Sequence, residues 1–338
     1  MVGIDQRWLG GRRVRRPGRI NRSTTPNTAP VLITGAAGFA GRWLSAACRR
    51  EGDDVVGLGL GTEPDSPDRW ISCDITDADA LDAAVEQVRP RITYHLAAIA
   101  APAQANSDQR RAWTVNLLGT LNVLASLARH SPGSRLLLVS SAAVYGAVER
   151  SDCPLPESHP AAPADCYGAT KRAAELAVLG GPGADLQVHV ARAFNHLGPG
   201  QSAEFLPGKL ARAVAAISTG RAPPRLALGS LGDWRDLTDV RDVVRAYRAI
   251  VERGRPGRIY NVCSGNAVPM AELVTCFCDQ AGIPIEVDSG AAHPASALPF
   301  LEGDYSRIRR ECGWQPKIDL RRSVIDALGQ SSSDRSLN

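Results

Sequence analysis

From residue 30 onward the chain alternates between short apolar runs and helix-like stretches of about a dozen residues. The runs are VLITG (31 to 35), DVVGLGL (54 to 60), ITYHLAA (92 to 98), RLLLVSS (135 to 141), LQVHVARAF (186 to 194) and RIYNVCS (258 to 264). Continuous apolarity, rather than in-and-out alternation, marks strands buried on both faces. Such strands belong to a parallel sheet with helices on each side. The expected class is α/β, a Rossmann-type doubly wound parallel sheet, and 338 residues leave room for a second, smaller domain.

The first run ends in TGAAGFAG, with glycines at Gly35, Gly38 and Gly41. In a strand-to-helix turn Gly35 makes the tight bend, Gly38 lets a pyrophosphate approach the backbone, and Gly41 lets the helix pack closely. The helix N-terminus then offers N–H groups and a favourable dipole to the anion. The alternative is a glycine-rich turn with no ligand. The spacing is G-x-x-G-x-x-G, and its place after the first strand is what favours the dinucleotide reading.

A second cluster reads Tyr167-Gly-Ala-Thr-Lys171 at the start of a helical stretch. A separation of four puts both side chains on one face. An ammonium beside a phenol favours the phenolate, so Tyr167 is expected to have a lowered pKa and to serve as acid and base near neutral pH. Upstream, LLLVSS closes on Ser140 and Ser141, where a hydroxyl can hydrogen-bond a substrate carbonyl.

Charge is unevenly spread. Residues 1 to 29 carry seven arginines against Asp5, a net of +6 in a chain of net +4, so the remainder is −2. The basic arm suits an anionic partner, but it has no apolar periodicity and ends in the turn-prone STTPNTAP. It reads as a disordered extension, with no nucleic-acid or membrane partner implied. No run of about 18 apolar residues exists for a span, and the N-terminus lacks a signal-like apolar core, so a cytoplasmic protein is expected. Eight cysteines without a CxxC pair read as ordinary thiols, with no metal site.

At these residues the sequence resembles the extended short-chain dehydrogenase/reductase family acting on nucleotide-sugars. Outside the glycine turn, ARAFNHLGPGQSAEF (191 to 205), LGSLGDWRDLTDVRDVVRAY (228 to 247), IYNVCSG (259 to 265) and LEGDYSRIRRECGWQP (301 to 316) are similar to the GDP-4-keto-6-deoxy-mannose reductases. The resemblance implies Ser141, Tyr167 and Lys171 as the catalytic set, with Lys171 also holding the nicotinamide ribose. It implies a cofactor site of Gly35, Gly38, Phe39, Ala40, Gly41, Asp74, Ile75, Ala97, Ala98, Asn116 and Ser140 beside Tyr167 and Lys171. Asn195, Arg235 and His293 fall with Ser141 on the nucleotide-sugar, although Arg235 beside Asp233 and Asp236 also fits an ion pair. His196 is expected to shape the substrate loop, and His95 to be a core residue. A homodimer through helices that include that of Tyr167 is implied too. Residues 30 to 195 plus 234 to 263 are expected to form the NAD(P) domain, with 196 to 233 plus 264 to 338 binding the nucleotide-sugar.

Three departures bear on function. Gly59 and Leu60 end the second strand where an acid would bind the adenosine 2′-hydroxyl or an arginine a 2′-phosphate. The choice between NADP and NAD is therefore open, with Arg42 and Arg69 as candidate positive charges. Ala142 and Ala143 follow Ser141 where related 4,6-dehydratases carry an acid. His293 stands where relatives carry a second arginine. The expected activity is reduction of the C4 keto group of a nucleotide-linked 4-keto-6-deoxyhexose. The alternatives are a 4-epimerase with tightly held NAD, a dehydratase, and a non-catalytic dinucleotide-binding protein.

Overall fold

The computed structural model describes residues 29–61, 69–181, 185–289 and 299–333. Its strands are β1 (Val31–Thr34), β2 (Val55–Gly59), β3 (Arg69–Ser72), β4 (Ile92–His95), β5 (Arg135–Ser141), β6 (Gln187–Ala193), β7 (Asn195–Leu197), β8 (Arg225–Leu228), β9 (Trp234–Asp239), β10 (Arg258–Val262), β11 (Ala267–Pro269), β12 (Glu286–Ser289) and β13 (Phe300–Leu301). The α-helices are α1 (Phe39–Arg50), α2 (Ala78–Val88), α3 (Pro102–Ser107), α4 (Gln109–Trp113), α5 (Gly119–His130), α6 (Cys166–Leu179), α7 (Leu206–Ser218), α8 (Val240–Arg253), α9 (Met270–Asp279), α10 (Ser306–Cys312) and α11 (Leu320–Ser333).

Seven strands form one parallel sheet in the order β10-β6-β5-β4-β1-β2-β3. Its two faces follow from residue parity. Val31 and Ile33 pack with Leu44 of α1 and Val243, Tyr247 and Ile250 of α8, while Leu32, Val56 and Leu58 pack with α2, α5 and α6. All six apolar runs supply strands of this sheet. β3 was not among them, because RWIS is a short edge strand with one neighbour and a half-exposed face.

The strand order reverses between β1 and β4, and the crevice beyond their carboxyl ends is where such sheets take ligands. Helices are started there by aspartates whose carboxylates accept first-turn N–H groups. Asp165 takes Gly168 N at 2.7 Å for α6, and Asp239 takes Arg241 N at 2.8 Å for α8.

A smaller sheet, β11-β9-β13 with β7 on β9, packs against α7, α9 and α11 around Leu197, Leu237, Val268 and Phe277. Residues 234–239, expected with the larger unit, pair here instead, while α8 and β10 return to the first sheet; α10, expected with the smaller unit, packs there too through Ile308 and Cys312. Buried Asp236 fastens this sheet by accepting from Ser264 N and Oγ, Gly265 N and Gly303 N at 2.6 to 3.2 Å.

Candidate active site

The turn after β1 has the shape its glycines suggest. Gly35 has φ +70°, and a Cβ there would lie 2.8 Å from Ala97 N, so the β1 and β4 turns touch. A Cβ on Gly41 would fall 2.2 Å from Gly35 O, which explains why α1 can begin so close to the turn. Gly38 differs from both, because a Cβ there would meet only Gly35 O, at 3.1 Å. As N-cap of α1, Gly38 brings no side chain to its first-turn N–H groups, which open over the crevice with Phe39, Ala40 and Gly41. An uncapped helix end with an open cradle fits the pyrophosphate of a dinucleotide.

Around the cradle, Ala97 N donates to Thr34 Oγ1 at 3.2 Å, and Ala98 follows in the same turn. Asp74 Oδ1 accepts from Thr76 N and Oγ1 at 2.9 and 2.8 Å, while Asn122 Nδ2 holds the Ile75 carbonyl at 3.0 Å. Asn122 was not read from the sequence; its face of α5 carries no charge or motif to mark it.

Ser141 and Tyr167 are neighbours, near enough for the serine hydroxyl to act on the phenol and lower its pKa against burial. Ser141 Oγ also accepts from Ala143 N at 3.1 Å in the 3₁₀ turn Ala142–Tyr145. The close approach of α6 to that turn requires Gly168, whose Cβ would stand 2.6 Å from Ala143 O.

The expected effect of Lys171 on Tyr167 is corrected here. Burial raises the Tyr167 pKa, against the Ser141 hydroxyl, and the nearby Asp165 raises it further. Lys171 Nζ donates instead to the Val139 carbonyl at 2.8 Å. Burial brings the ammonium down to about 8, and Glu175, four residues on, partly offsets this.

Ser140 points to the opposite face from Ser141, as successive strand residues must. Its hydroxyl donates to Glu175 Oε1 at 2.7 Å, beside the buried bidentate pair of Glu175 with Arg192 at 2.9 and 2.8 Å. Asn116 is similarly committed to protein. It bridges Ile99 N and O at 2.8 and 3.2 Å and Thr170 Oγ1 at 3.0 Å, tying the β4 turn to the Tyr167 helix.

His95 lies behind this bridge, Nδ1 at 2.7 Å from Thr34 Oγ1 and Nε2 at 3.0 Å from Thr120 Oγ1. Thr120 gives its only hydroxyl proton to Asn116 O at 2.7 Å, so His95 donates from Nε2 and accepts at Nδ1. Burial, reinforced by the charge of Lys171, holds its pKa near 3, and the ring is neutral.

On the substrate side, exposed Asn195 opens β7 in register with Leu237, two residues from Arg235 on β9. Arg235 is half-buried and pairs with Asp233 at 2.8 Å. The loop after β7 rests on α1. His196 stacks on Phe39 at 5.9 Å, Arg42 Nη2 donates to Gly200 O at 3.0 Å, and Trp43 Nε1 to Pro199 O at 3.1 Å. Arg42 is thus engaged away from the end of β2. Arg69 pairs with Asp54 at 3.4 Å, at the far end of β2. His293 lies outside the described residues.

A doubly wound parallel sheet whose first turn presents an uncapped helix, with a serine and a tyrosine neighbouring one another beyond β5, defines a dinucleotide-binding protein of the Rossmann class. The chain belongs to the NAD dependent epimerase/dehydratase family, which matches residues 31–263. It is 32% identical over 308 residues to a GDP-6-deoxy-D-mannose reductase of Pseudomonas aeruginosa, covering 90% of this chain and 98% of that one. It is likewise 32% identical to a UDP-glucose 4-epimerase of Mycolicibacterium smegmatis, over 88% of this chain and 97% of the relative. The solved structure of RMD from Pseudomonas aeruginosa complexed with NADPH superposes with a TM-score of 0.81 at 30% identity, covering 91% of this chain and all (100%) of the other.

Proposed function

We propose that this protein is an NAD(P)H-dependent oxidoreductase that reduces the C4 keto group of a GDP- or dTDP-linked 4-keto-6-deoxyhexose in deoxysugar biosynthesis. The observation that carries the reading is the nearness of Ser141 to Tyr167 beside a turn, Ala142–Tyr145, that brings no carboxylate to the site. Elimination across C5 and C6 needs such a group to move protons, so a dehydratase is disfavoured. The 32% identity to a GDP-6-deoxy-D-mannose reductase supports the same choice.

The bound reduced nicotinamide supplies a hydride. Tyr167 gives its phenolic proton to O4 of the sugar as the carbonyl becomes an alkoxide, and Ser141 hydrogen-bonds that oxygen. The raised pKa of Tyr167 suits this direction, since a proton donor must begin protonated. Lys171 holds the nicotinamide ribose, while Gly38 and the first turn of α1 take the pyrophosphate. Asn195 and Arg235 bind the sugar diphosphate; Arg235 exchanges part of its pairing with Asp233 for the phosphate. His293 is assigned to the same diphosphate. The reaction is placed in the cytoplasm, and the enzyme is a homodimer.

A 4-epimerase is the second reading, favoured by the 32% identical UDP-glucose 4-epimerase. An epimerase keeps its cofactor through two half-reactions, whereas a reductase releases it every cycle. Purified protein incubated with GDP- and dTDP-4-keto-6-deoxyhexoses is expected to oxidise one equivalent of NAD(P)H per sugar reduced and to emerge from purification largely free of nicotinamide. Tightly bound NAD, with interconversion of C4 epimers and no consumption of added cofactor, would establish the epimerase instead.

A further inference from the structure

We propose that Trp70 excludes from the end of β2 the carboxylate that would otherwise grip the adenosine ribose, by filling the space that side chain would need. The inference rests on reading the crevice as a nicotinamide dinucleotide site. Trp70 stands on β3 directly beside Gly57 of β2. From there its indole runs along β2 toward the carboxyl end, over Gly57 and Gly59, which share that face of the strand. A Cβ on Gly57 would lie 2.9 Å from Cε3, and one on Gly59 would lie 3.0 Å from Cη2. The ring is pinned at its polar edge, where Nε1 donates to Gly61 O at 3.2 Å.

A methyl group at position 59 would already press on the indole, and an aspartate or glutamate needs the volume the ring fills. Glycine at 59 is therefore the packing partner of Trp70, and the ribose-binding acid is excluded by sterics. The next residue, Leu60, is 63% exposed and carries no charge. A carboxylate here would hydrogen-bond the 2′-hydroxyl of NADH and repel the 2′-phosphate of NADPH. With the carboxylate excluded, that penalty against the phosphorylated cofactor is gone, and discrimination of this kind is set by such repulsive elements as much as by attractive ones. NADPH should then bind at least as tightly as NADH.

The test is a set of binding titrations, free of sugar, that follow the fluorescence of the reduced nicotinamide, together with melting temperatures. They use wild type, Trp70→Ala, Gly59→Asp and the double variant. Wild type and Trp70→Ala are expected to bind NADPH at least as tightly as NADH, since neither has the acid. Gly59→Asp alone should lower the melting temperature and weaken both cofactors, because the side chain meets the indole. In the double variant the aspartate should cost less stability, and the Kd ratio should move toward NADH by about tenfold or more. The proposal is overturned if wild type prefers NADH by tenfold, if Gly59→Asp costs the same with or without Trp70, or if the double variant keeps the wild-type ratio. Binding of neither cofactor would overturn both this proposal and the assigned function. The expected shift in protein that reduces no 4-keto sugar would overturn the function alone.

Discussion

Tyr167 and Lys171 lie four residues apart on one helix, yet burial treats them in opposite ways. Desolvation penalises the charged form of each, so the phenol is pushed up and the ammonium is pushed down, to about 8. Tyr167→Phe keeps the ring and removes the proton donor. Turnover should fall by about 10²- to 10⁴-fold with cofactor affinity, measured by titration, nearly unchanged. The alkaline limb of kcat/KM against pH should belong to Lys171. A base whose pKa lies below its ordinary value gives up its proton early, so activity is expected to decline as pH rises through about 8. In Lys171→Arg, where the charge persists, that limb should move to higher pH; an unmoved limb would assign it to another group. His95, neutral with a pKa near 3, should contribute no transition between pH 5 and 8. The four-residue spacing made it legible in the sequence that the two side chains share one helix. The sign of the tyrosine shift was not, because it depends on how deeply the phenol is buried and on the Val139 carbonyl that draws the ammonium away.

At the scale of an element, the β1 turn shows how three glycines of one motif do different work. Gly41→Ala places a methyl 2.2 Å from Gly35 O, a backbone atom that cannot yield cheaply, and should cost about 1–3 kcal/mol of stability in thermal or denaturant unfolding. Gly38→Ala meets only Gly35 O, at 3.1 Å, on the protein side. It should leave the melting temperature nearly unchanged while weakening the cofactor, since its methyl intrudes on the open cradle. Equal effects from the two substitutions would mean that the cradle is not where the pyrophosphate sits. The strands and this turn were legible because apolar runs and glycine spacing are local signals. What holds the turn against the Tyr167 helix was not, since Thr34, His95, Ile99, Asn116, Thr120 and Thr170 are linked across separations of 17 to 61 residues as well as along the helix. Asn116 alone of these was assigned to the site from sequence, and its amide is spent on the β4 turn and Thr170.

At the scale of the whole molecule, the described residues include no helix long and apolar enough to cross a membrane. Four large apolar side chains are nonetheless exposed along the α4–α5 segment and α6: Trp113, Leu118, Leu121 and Leu176. The helices that carry them pack side by side, and a shared apolar face of this kind is the surface proposed for the homodimer. Leu118→Glu combined with Leu176→Glu should give a monomer in sedimentation experiments, with the fold retained by circular dichroism; a dimer that survives both changes would place the interface elsewhere. The family resemblance named only the Tyr167 helix among those of a homodimer, and the exposed apolar side chains could not be told from core in the sequence, since both obey the same helical period. The division of the chain was partly legible as well. DWRDLTDV was not among the apolar runs and was placed with the larger unit, and its partners on β7, β11 and β13 put it in the smaller sheet.

The loop Asn195 to Gln201 does not hang free over the crevice. It leans on the first turns of α1 through the His196–Phe39 stack and the bonds from Arg42 and Trp43. The wall proposed to seat the pyrophosphate is therefore also the foundation of the loop proposed to meet the sugar, and whatever stiffens one stiffens the other. Thermodynamic linkage makes the influence mutual, so the factor by which cofactor sharpens sugar affinity is the factor by which sugar retains cofactor. The ratio of cofactor Kd values measured with and without sugar should therefore equal the ratio of sugar Kd values measured with and without cofactor.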